Sequence, residues 1–372
     1  MDIYKKISQQ PFTTKLAAVL ISLICIGYLV IAGKELLSPI IFSCLFAILL
    51  LPLSAWLEKQ CRLPRSAAAM IAVLMLVAAM SLVLYTVGAQ ISKLSSDWPL
   101  FKEQMQTTGD NLQVWIAQKF HIDEVKQLSY VRSATGKLLD SGTVVVGTTL
   151  VSVSSIILFL VFTFIYTFLF LVYRSLIMKF FIAVFMEENK TVVHDILEQV
   201  QYIIRKYITG LLLEMAIVAT VTAIVFSIMG VKYAILLGII TGLFNLVPYI
   251  GIFTAMLVSA LITFATAAVA GKVILVLVAL TIIHLIDSNI LLPIIVGSKV
   301  KINALVTLIG VITGEMIWGI PGMFLSIPVI AVLKIIFDRI DSLKPWGIIL
   351  GDEEKKKGLS LPAEIIIPPP EL

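Results

Sequence analysis

The sequence predicts an all-α integral membrane protein, a polytopic helical bundle with about eight membrane segments. Of its 372 residues, 59% are apolar and only 14% are charged, which excludes an ordinary soluble domain. The apolar runs are continuous over roughly 20 residues or more, whereas the strands of a transmembrane β-barrel would alternate apolar and polar residues. Most Lys and Arg lie near the ends of these runs, which is typical of membrane orientation signals and not of a nucleic-acid surface.

Five apolar runs bounded by charges predict the first five spans: residues 16–32, 37–57, 67–89, 144–173 and 208–229. The first run follows a segment with the charge pattern of a signal peptide, but it is too long and lacks a cleavage site of small residues. We therefore expect a retained span. Basic residues precede the first run and separate the second from the third: Lys5, Lys6, Lys15, Lys59, Arg62 and Arg65. The positive-inside rule then places the N-terminus in the cytoplasm. Residues 1–89 form an N-terminal unit that contains spans 1–3.

Three segments outside these spans carry charge. Residues 90–143 follow the third span and space their apolar residues as a helix does, so we expect an external helical subdomain. Residues 144–229 then hold spans 4 and 5, with a cytoplasmic helical linker at 174–206 whose mixed charges are typical of a solvated face. The tail, residues 351–372, is charged and then Pro-rich, which predicts disorder.

A stretch without charge extends from residue 233 to residue 271. As one helix it would be about 58 Å long, nearly twice the thickness of the hydrocarbon core, so it cannot be a single straight span. Two arrangements remain: a span followed by a helix lying in the interface, or a hairpin that enters and leaves the membrane on one side. A second long run, residues 302–333, is interrupted by GEMIWGIPG at 314–322.

The charges beside the two long runs favour hairpins. If both runs are re-entrant, Lys299 and Lys301 lie in the cytoplasm and only Lys272 lies outside, whereas two spanning runs would reverse this. The re-entrant arrangement thus has one more lysine on the cytoplasmic side than outside, as the positive-inside rule favours. It also places the two breaks in opposite orientations, as in an inverted repeat. We predict a transport core with broken helices over residues 230–340 and a cytoplasmic C-terminus.

The break FNLVPYIG supplies the first candidate substrate-binding residues. Pro248 removes a backbone donor and frees a carbonyl one turn earlier, and Gly242 and Gly251 permit a turn. Asn245 and Tyr249 add side-chain donors and acceptors at a depth where irregular backbone is tolerated only in protein or beside a water-filled cavity. The alternative is a proline kink in which Asn245 bonds the freed carbonyl.

The run HLIDSNILLP supplies candidates for ion coupling. His284 and Asp287 share one helical face, and Asn289 adds a further substrate-binding candidate. An ionisable residue inside the membrane is a functional candidate because its burial is costly, although a simple packing bond between His284 and Asp287 is the alternative. Glu214 and Glu315 are the other intramembrane acids, each of which could instead be solvated near an interface.

Glycine and proline residues at the breaks are the hinge candidates: Gly242, Pro293, Gly314, Gly319, Pro321 and Gly322. No catalytic motif appears: the sequence lacks HExxH, a nucleophile elbow and a complete Walker A motif. Cys25, Cys44 and Cys61 lack the spacing of a metal or redox site. We therefore expect neither an enzyme nor a cofactor or metal, and any transport is passive or driven by an ion gradient.

Three stretches resemble signature blocks of the AI-2E (autoinducer-2 exporter) family: GIITGLFNLVPYIG, HLIDSNILLPIIVG and GEMIWGIPGMFLSIPVIAVLK. Their order and spacing also match, and the likeness covers roughly residues 10–345. The resemblance implies a multi-spanning transporter of the bacterial inner membrane. Members are linked to export of autoinducer-2 and others to exchange of sodium or lithium for protons. Glu214 departs from the pattern, because an amide such as Gln is expected there in many members.

The resulting hypothesis is a secondary transporter with a site between Asn245–Gly251 and residues 284–293, which the second break closes from the other side. Asn245 and Tyr249 would contact the cargo, and Asp287 would couple its movement to protons or cations. Expected partners are a small polar solute or a monovalent cation, the lipid bilayer and further copies of the chain, but no nucleic acid. The alternative is an envelope scaffold that binds partners through residues 90–143.

Overall fold

A computed structural model describes residues 11–97, 99, 103, 107, 155–184, 190–247, 250–267, 270–295 and 302–351. Every named element in these residues is helical, which confirms the predicted all-α class. Most of the expected external subdomain lies outside the described residues. The same holds for Pro248, Tyr249, Lys299, Lys301 and the tail beyond Gly351.

Among the described residues, the first five helices are long, and each overlaps a predicted span. They are α1 (Phe12–Ala32), α2 (Lys34–Gln60), α3 (Arg65–Ser96), α4 (Ser155–Val184) and α5 (Lys190–Ile228). The expected linker at 174–206 is helical where it is described, because it continues α4 and begins α5. With 39 residues, α5 is about 58 Å long and extends well beyond the thickness of a bilayer.

The remaining helices are shorter and include the broken segments. They are α6 (Ala234–Phe244), α7 (Ile250–Ala267), α8 (Ala270–Ile286), a π-helical turn (Asp287–Leu291), α9 (Leu292–Ile295), α10 (Ala304–Trp318), α11 (Ile320–Arg339) and α12 (Lys344–Leu350). Six helices among the described residues are long and apolar enough to cross a membrane: α2, α3, α4, α5, the helix that ends at Ile295, and α11.

The uncharged stretch forms a hairpin of α6 and α7, which we call the first hairpin. Its turn begins at Asn245, and α6 has only 11 residues, or about 16 Å, roughly half of the hydrocarbon thickness. The Lys272 ammonium donates a hydrogen bond to the Gly230 carbonyl at 2.8 Å. The residues that flank the hairpin therefore lie side by side, as they must if the chain enters and leaves on one side.

Helices α10 and α11 form the second hairpin, which turns at Gly319. The φ of Gly319 is +68°, a region that side chains disfavour. Below the turn the two backbones touch, because a Cβ on Gly314 or on Gly322 would collide with the carbonyl of the other. At the open end, the Asn303 N–H donates to the Leu350 carbonyl at 3.1 Å.

The two hairpins open toward opposite ends of α5. The first hairpin follows the C-terminal end of α5, at what we call the Lys232 end of the bundle. On the second hairpin, Arg339 donates to Gln199, near the N-terminal end of α5, at 3.0 Å; we call this the Arg339 end. Both tips reach one apolar cluster, in which Leu246 and Trp318 pack with Ile208 of α5. The tip of each hairpin thus lies inside the bundle.

Candidate functional site

Two glycines on α6 bring it unusually close to α5. A Cβ on Gly238 would lie 2.6 Å from the Ala219 carbonyl oxygen, and one on Gly242 would lie 2.6 Å from that of Met215. Such distances are possible only without side chains, as in the small-residue contacts of other membrane helices. As a consequence Asn245, the first residue after α6, lies against Glu214 of α5.

Asn245 connects two buried acids. Its Nδ2 donates to Glu214 Oε1 and to Asp287 Oδ2, each at 3.0 Å, so these two oxygens are no more than twice that distance apart. The exposed fraction is 2% for Glu214 and 4% for Asp287. The second oxygens of both acids, Glu214 Oε2 and Asp287 Oδ1, are buried and accept no hydrogen bond from the described residues. We call these three residues the carboxyl cluster.

The π-helical turn places Asp287 and opens the backbone beside it. The Leu292 N–H donates to the Asp287 carbonyl, five residues earlier, and the next residue, Pro293, has no N–H. The Ser288 carbonyl therefore loses its regular helical donors. Wider turns of this kind occur frequently at functional sites.

His284 lies one turn before Asp287 on the same face, but the described residues contain no hydrogen bond between them. Its Nδ1 is buried and has no partner there. The packing bond that was the alternative role of this pair is therefore not formed in this conformation, and Asp287 is held by Asn245 instead.

Two of the predicted polar residues lie away from the carboxyl cluster. Asn289 is exposed, and its amide donates to the Leu285 carbonyl at 2.8 Å. Residues two apart on a helix point in different directions, which explains why Asn289 does not join Asp287. Glu315 is exposed on α10. Pro248 and Tyr249 lie outside the described residues, so their roles stay predictions.

The hinge candidates occupy two kinds of position. Gly319 forms the turn of the second hairpin, and Pro321 follows in the first turn of α11. The others lie within helices: Gly242 in α6, Pro293 in α9, and Gly314 and Gly322 where α10 meets α11. Gly251 is also tightly placed, because a Cβ there would collide with the Phe244 carbonyl.

No sequence pattern predicted one polar contact at the Lys232 end of the bundle. The Lys232 ammonium lies 2.7 Å from Asp97 Oδ2, and the Tyr233 hydroxyl donates to the same oxygen. This latch joins the end of α3 to the start of the first hairpin. The hydrogen bond from Lys232 holds the pKa of Asp97 below its ordinary value. Only the fold brings these residues together, since Asp97 and Tyr233 are 136 positions apart.

The carboxyl cluster offers oxygen atoms in a closed site. Among the described residues, no group of three His, Cys, Asp or Glu side chains is arranged to hold a metal ion. The cluster instead combines two acids, one amide and the C-terminal end of α6, whose helix dipole is negative. Carbonyls and half-helix ends of this kind coordinate Na⁺ or H⁺ in transporters with broken helices.

Comparisons with known proteins agree with this architecture. A family model described as AI-2E family transporter matches residues 18–342. Two proteins of Bacillus subtilis (strain 168), each named "Putative transport protein", are similar to part of the chain. YrrI is 35% identical over 129 residues, which is 35% of this chain and 36% of YrrI. YueF is 31% identical over 134 residues, 36% of each chain. The matched stretches thus span little more than a third of either relative.

Proposed function

The chain belongs to the AI-2E transporter family, and from this membership and its carboxyl cluster we propose that it is a secondary transporter coupled to protons or monovalent cations. Membership in the family and the long apolar helices make it a multi-pass membrane protein. The observation that carries the proposal is the pair of buried acids, Glu214 and Asp287, bound to one amide.

Electrostatics explains why such a pair favours binding a cation. Each acid at the centre of a membrane costs about 2.5–3.5 kcal/mol on insertion scales. Because the two acids lie no more than about 6 Å apart, their like charges add at least roughly 3 kcal/mol at an effective dielectric constant of about 20. The Asn245 amide offsets part of this cost, but the second oxygens of both acids still lack partners. One proton or one monovalent cation between them would remove most of the repulsion.

Access to the cluster requires movement of the first hairpin. Both acids are almost fully buried, and Asn245 lies at the hairpin tip. In the proposed cycle, the tip withdraws from Glu214 and Asp287, cargo and proton exchange, and the tip returns. Gly251 and Gly319 sit at the turns where the two hairpins would bend. The cargo is a small polar solute or a monovalent cation.

Charge distribution supports an orientation for this transporter in the bacterial inner membrane. The loop that joins α2 and α3 carries Arg62, with Lys59 and Arg65 at the flanking helix ends. Arg174 of α4 pairs with Glu58 near the same loop. The positive-inside rule places this end, together with both termini, in the cytoplasm.

Flux through proteoliposomes tests the proposal. Purified chain would be reconstituted with a pH gradient and a fluorescent pH indicator inside, then exposed to Na⁺, Li⁺ or K⁺. We expect Glu214→Gln and Asp287→Asn each to lower coupled flux at least tenfold, which corresponds to losing about 1.4 kcal/mol of interaction at the cluster. The matched control is Glu35→Gln, since Glu35 is exposed at the start of α2.

The outcomes separate transport from a scaffold role. If Asp287→Asn retains full, gradient-coupled flux, the cluster does not couple transport. If the wild-type chain moves neither a cation nor a small polar solute such as autoinducer-2, the transporter proposal fails and the envelope scaffold gains support.

A further inference from the structure

An apolar groove runs along the bundle on the side of α4. Its cavity volume is about 580 Å³, within the range of roughly 300–1,000 Å³ that holds small ligands. Helices α2, α4, α5 and α11 form its walls, so it separates the second hairpin from the early helices. Among the described residues that line it, Arg174 and Gln201 alone have side chains that carry nitrogen or oxygen.

Arg174 lines this groove from α4, and its guanidinium is only partly hydrogen-bonded. Its Nη2 pairs with Glu58 Oε2 at 2.7 Å, whereas its Nη1 is buried and has no hydrogen-bond partner in the described structure. The next residue, Ser175, accepts a hydrogen bond from Arg65 Nη2 at 2.7 Å. Arg65 of α3 therefore reaches the residue next to Arg174 on α4.

The segments that carry Arg174 and its ion-pair partner Glu58 have an excess of basic residues. Residues 57–66 and 171–184 contain five basic side chains and one acid: Lys59, Arg62, Arg65, Arg174, Lys179 and Glu58. Basic pockets between membrane helices on the cytoplasmic side bind the head groups of anionic lipids. The apolar walls would suit a hydrocarbon chain and give a polar solute almost no partner.

We propose that the groove holds one acyl chain of an anionic bilayer phospholipid, whose phosphate binds Arg174 and Arg65. The phosphate would supply the acceptor that Arg174 Nη1 lacks. The acyl chain gains packing contacts but little hydrophobic energy over the bilayer, so selectivity comes from the head group. The bound acyl chain would also separate α11 from the wall formed by α2 and α4, so that α11 can slide along it. This site is independent of the carboxyl cluster.

Native mass spectrometry of the purified, delipidated full-length chain tests the site. Three probes separate head group from chain: dioleoyl phosphatidylglycerol, dioleoyl phosphatidylcholine and water-soluble glycerol 1-phosphate. We expect one phosphatidylglycerol to bind at least about fivefold more tightly than phosphatidylcholine, the scale of one basic residue at a membrane surface. Glycerol 1-phosphate alone should not be retained.

Variants locate the bound lipid. Cys44 lines the groove, and the larger indole of Cys44→Trp should obstruct the path of an acyl chain and weaken lipid retention. The matched control is Cys25→Trp, on an exposed cysteine of α1 outside the groove. The pair of changes Glu58→Gln with Arg174→Gln leaves no unpaired charge, and it should remove the preference for phosphatidylglycerol even if Cys44→Trp fails to fold.

Three results would overturn the proposal. If phosphatidylglycerol and phosphatidylcholine bind equally tightly, Arg174 does not recognise the head group. If Cys44→Trp retains phosphatidylglycerol at wild-type affinity, the lipid binds outside the groove. Binding of glycerol 1-phosphate as tight as that of the lipid would make the site an anion site without an acyl chain.

Discussion

Single residues decide how closely the first hairpin approaches the acids. Gly242 lies one turn before Asn245, and its missing side chain lets α6 rest on the Met215 carbonyl. A helix shifted outward by even part of an ångström would lengthen both hydrogen bonds from Asn245, whose donor–acceptor distances are already 3.0 Å. A change at the glycine contact should therefore also change the carboxyl cluster.

We predict that Gly242→Ala lowers the stability of the protein and weakens coupling. Its Cβ would meet backbone and not a flexible side chain, so α6 must move, at a cost of about 1–3 kcal/mol. The measurements are thermal unfolding in detergent and proton-coupled flux in proteoliposomes.

Gly88→Ala is the matched control, because a Cβ on Gly88 of α3 has no neighbour within 4 Å. It should be neutral, or stabilising by about 0.5–1 kcal/mol through the unfolded chain. Equal effects of the two substitutions would contradict the role given to the α5–α6 contact.

The sequence identified the acids but not their arrangement. Asn245, Asp287 and Glu214 each stood out as polar groups in apolar runs, where unpaired groups are costly. Their meeting depends on contacts between helices that are 31 and 42 residues apart along the chain. Asn289 was assigned to the same site because it is close to Asp287 in sequence. Two residues two positions apart point in different directions from a helix, so the structure does not bring them together.

At the scale of helices, the latch at the Lys232 end sets how firmly the first hairpin is held. Asp97 follows α3, while Lys232 and Tyr233 precede α6. At the same end of the bundle, Lys272 of α8 donates a hydrogen bond to the Gly230 carbonyl. This bond connects α8 to the loop between α5 and α6. Movement of the hairpin as a whole must strain or release these contacts, whereas bending at its tip need not.

We predict that the latch is constant near neutral pH and fails only in acid or strong base. The pKa of Asp97 is lowered from 3.8, so its contribution to stability is complete above 3.8 and is lost as the pH falls through its folded-state pKa. The pKa of Lys232 is raised from 10.5, so its contribution is complete below 10.5 and is lost as the pH rises through its folded-state pKa. Thermal unfolding of Asp97→Asn should therefore differ from wild type by a fixed amount between about pH 5 and 9.

Asp341→Asn is the control for that experiment. Asp341 also pairs with a lysine, Lys344, but the two are three residues apart at the Arg339 end and join no distant helices. The control should lower the unfolding temperature less than Asp97→Asn. A difference between Asp97→Asn and wild type that varied steeply around pH 7 would show that another group controls the latch.

At the scale of the molecule, the first and the second hairpin open at opposite ends of the described bundle. Length alone predicted a break in the uncharged stretch, since 39 helical residues exceed the membrane thickness. In the sequence, the choice between a hairpin and a span rested on a single lysine. The contact between Lys272 and Gly230 carries more weight, because it fixes both flanks of the hairpin in space.

Labelling with a membrane-impermeant maleimide tests this topology. In a chain with Cys25, Cys44 and Cys61 replaced by Ser, single cysteines at Glu35, Lys272 and Arg339 would be labelled from each side of sealed vesicles. We expect Glu35→Cys and Lys272→Cys to react from one side and Arg339→Cys from the other. Reaction of Lys272→Cys from the side of Arg339→Cys would mean that residues 233–271 cross the membrane.

The contact between Trp318 and α1 has a consequence for biosynthesis. The Trp318 indole N–H donates to the Val30 carbonyl at 3.0 Å, across 288 positions of sequence. The ribosome makes α1 well before the tip of the second hairpin, so this hydrogen bond can form only after the 288 positions between Val30 and Trp318 have been synthesised. A nascent chain stopped before Trp318 would leave Val30 without its indole partner and the central apolar cluster incomplete, and membrane quality control could distinguish it from the finished protein.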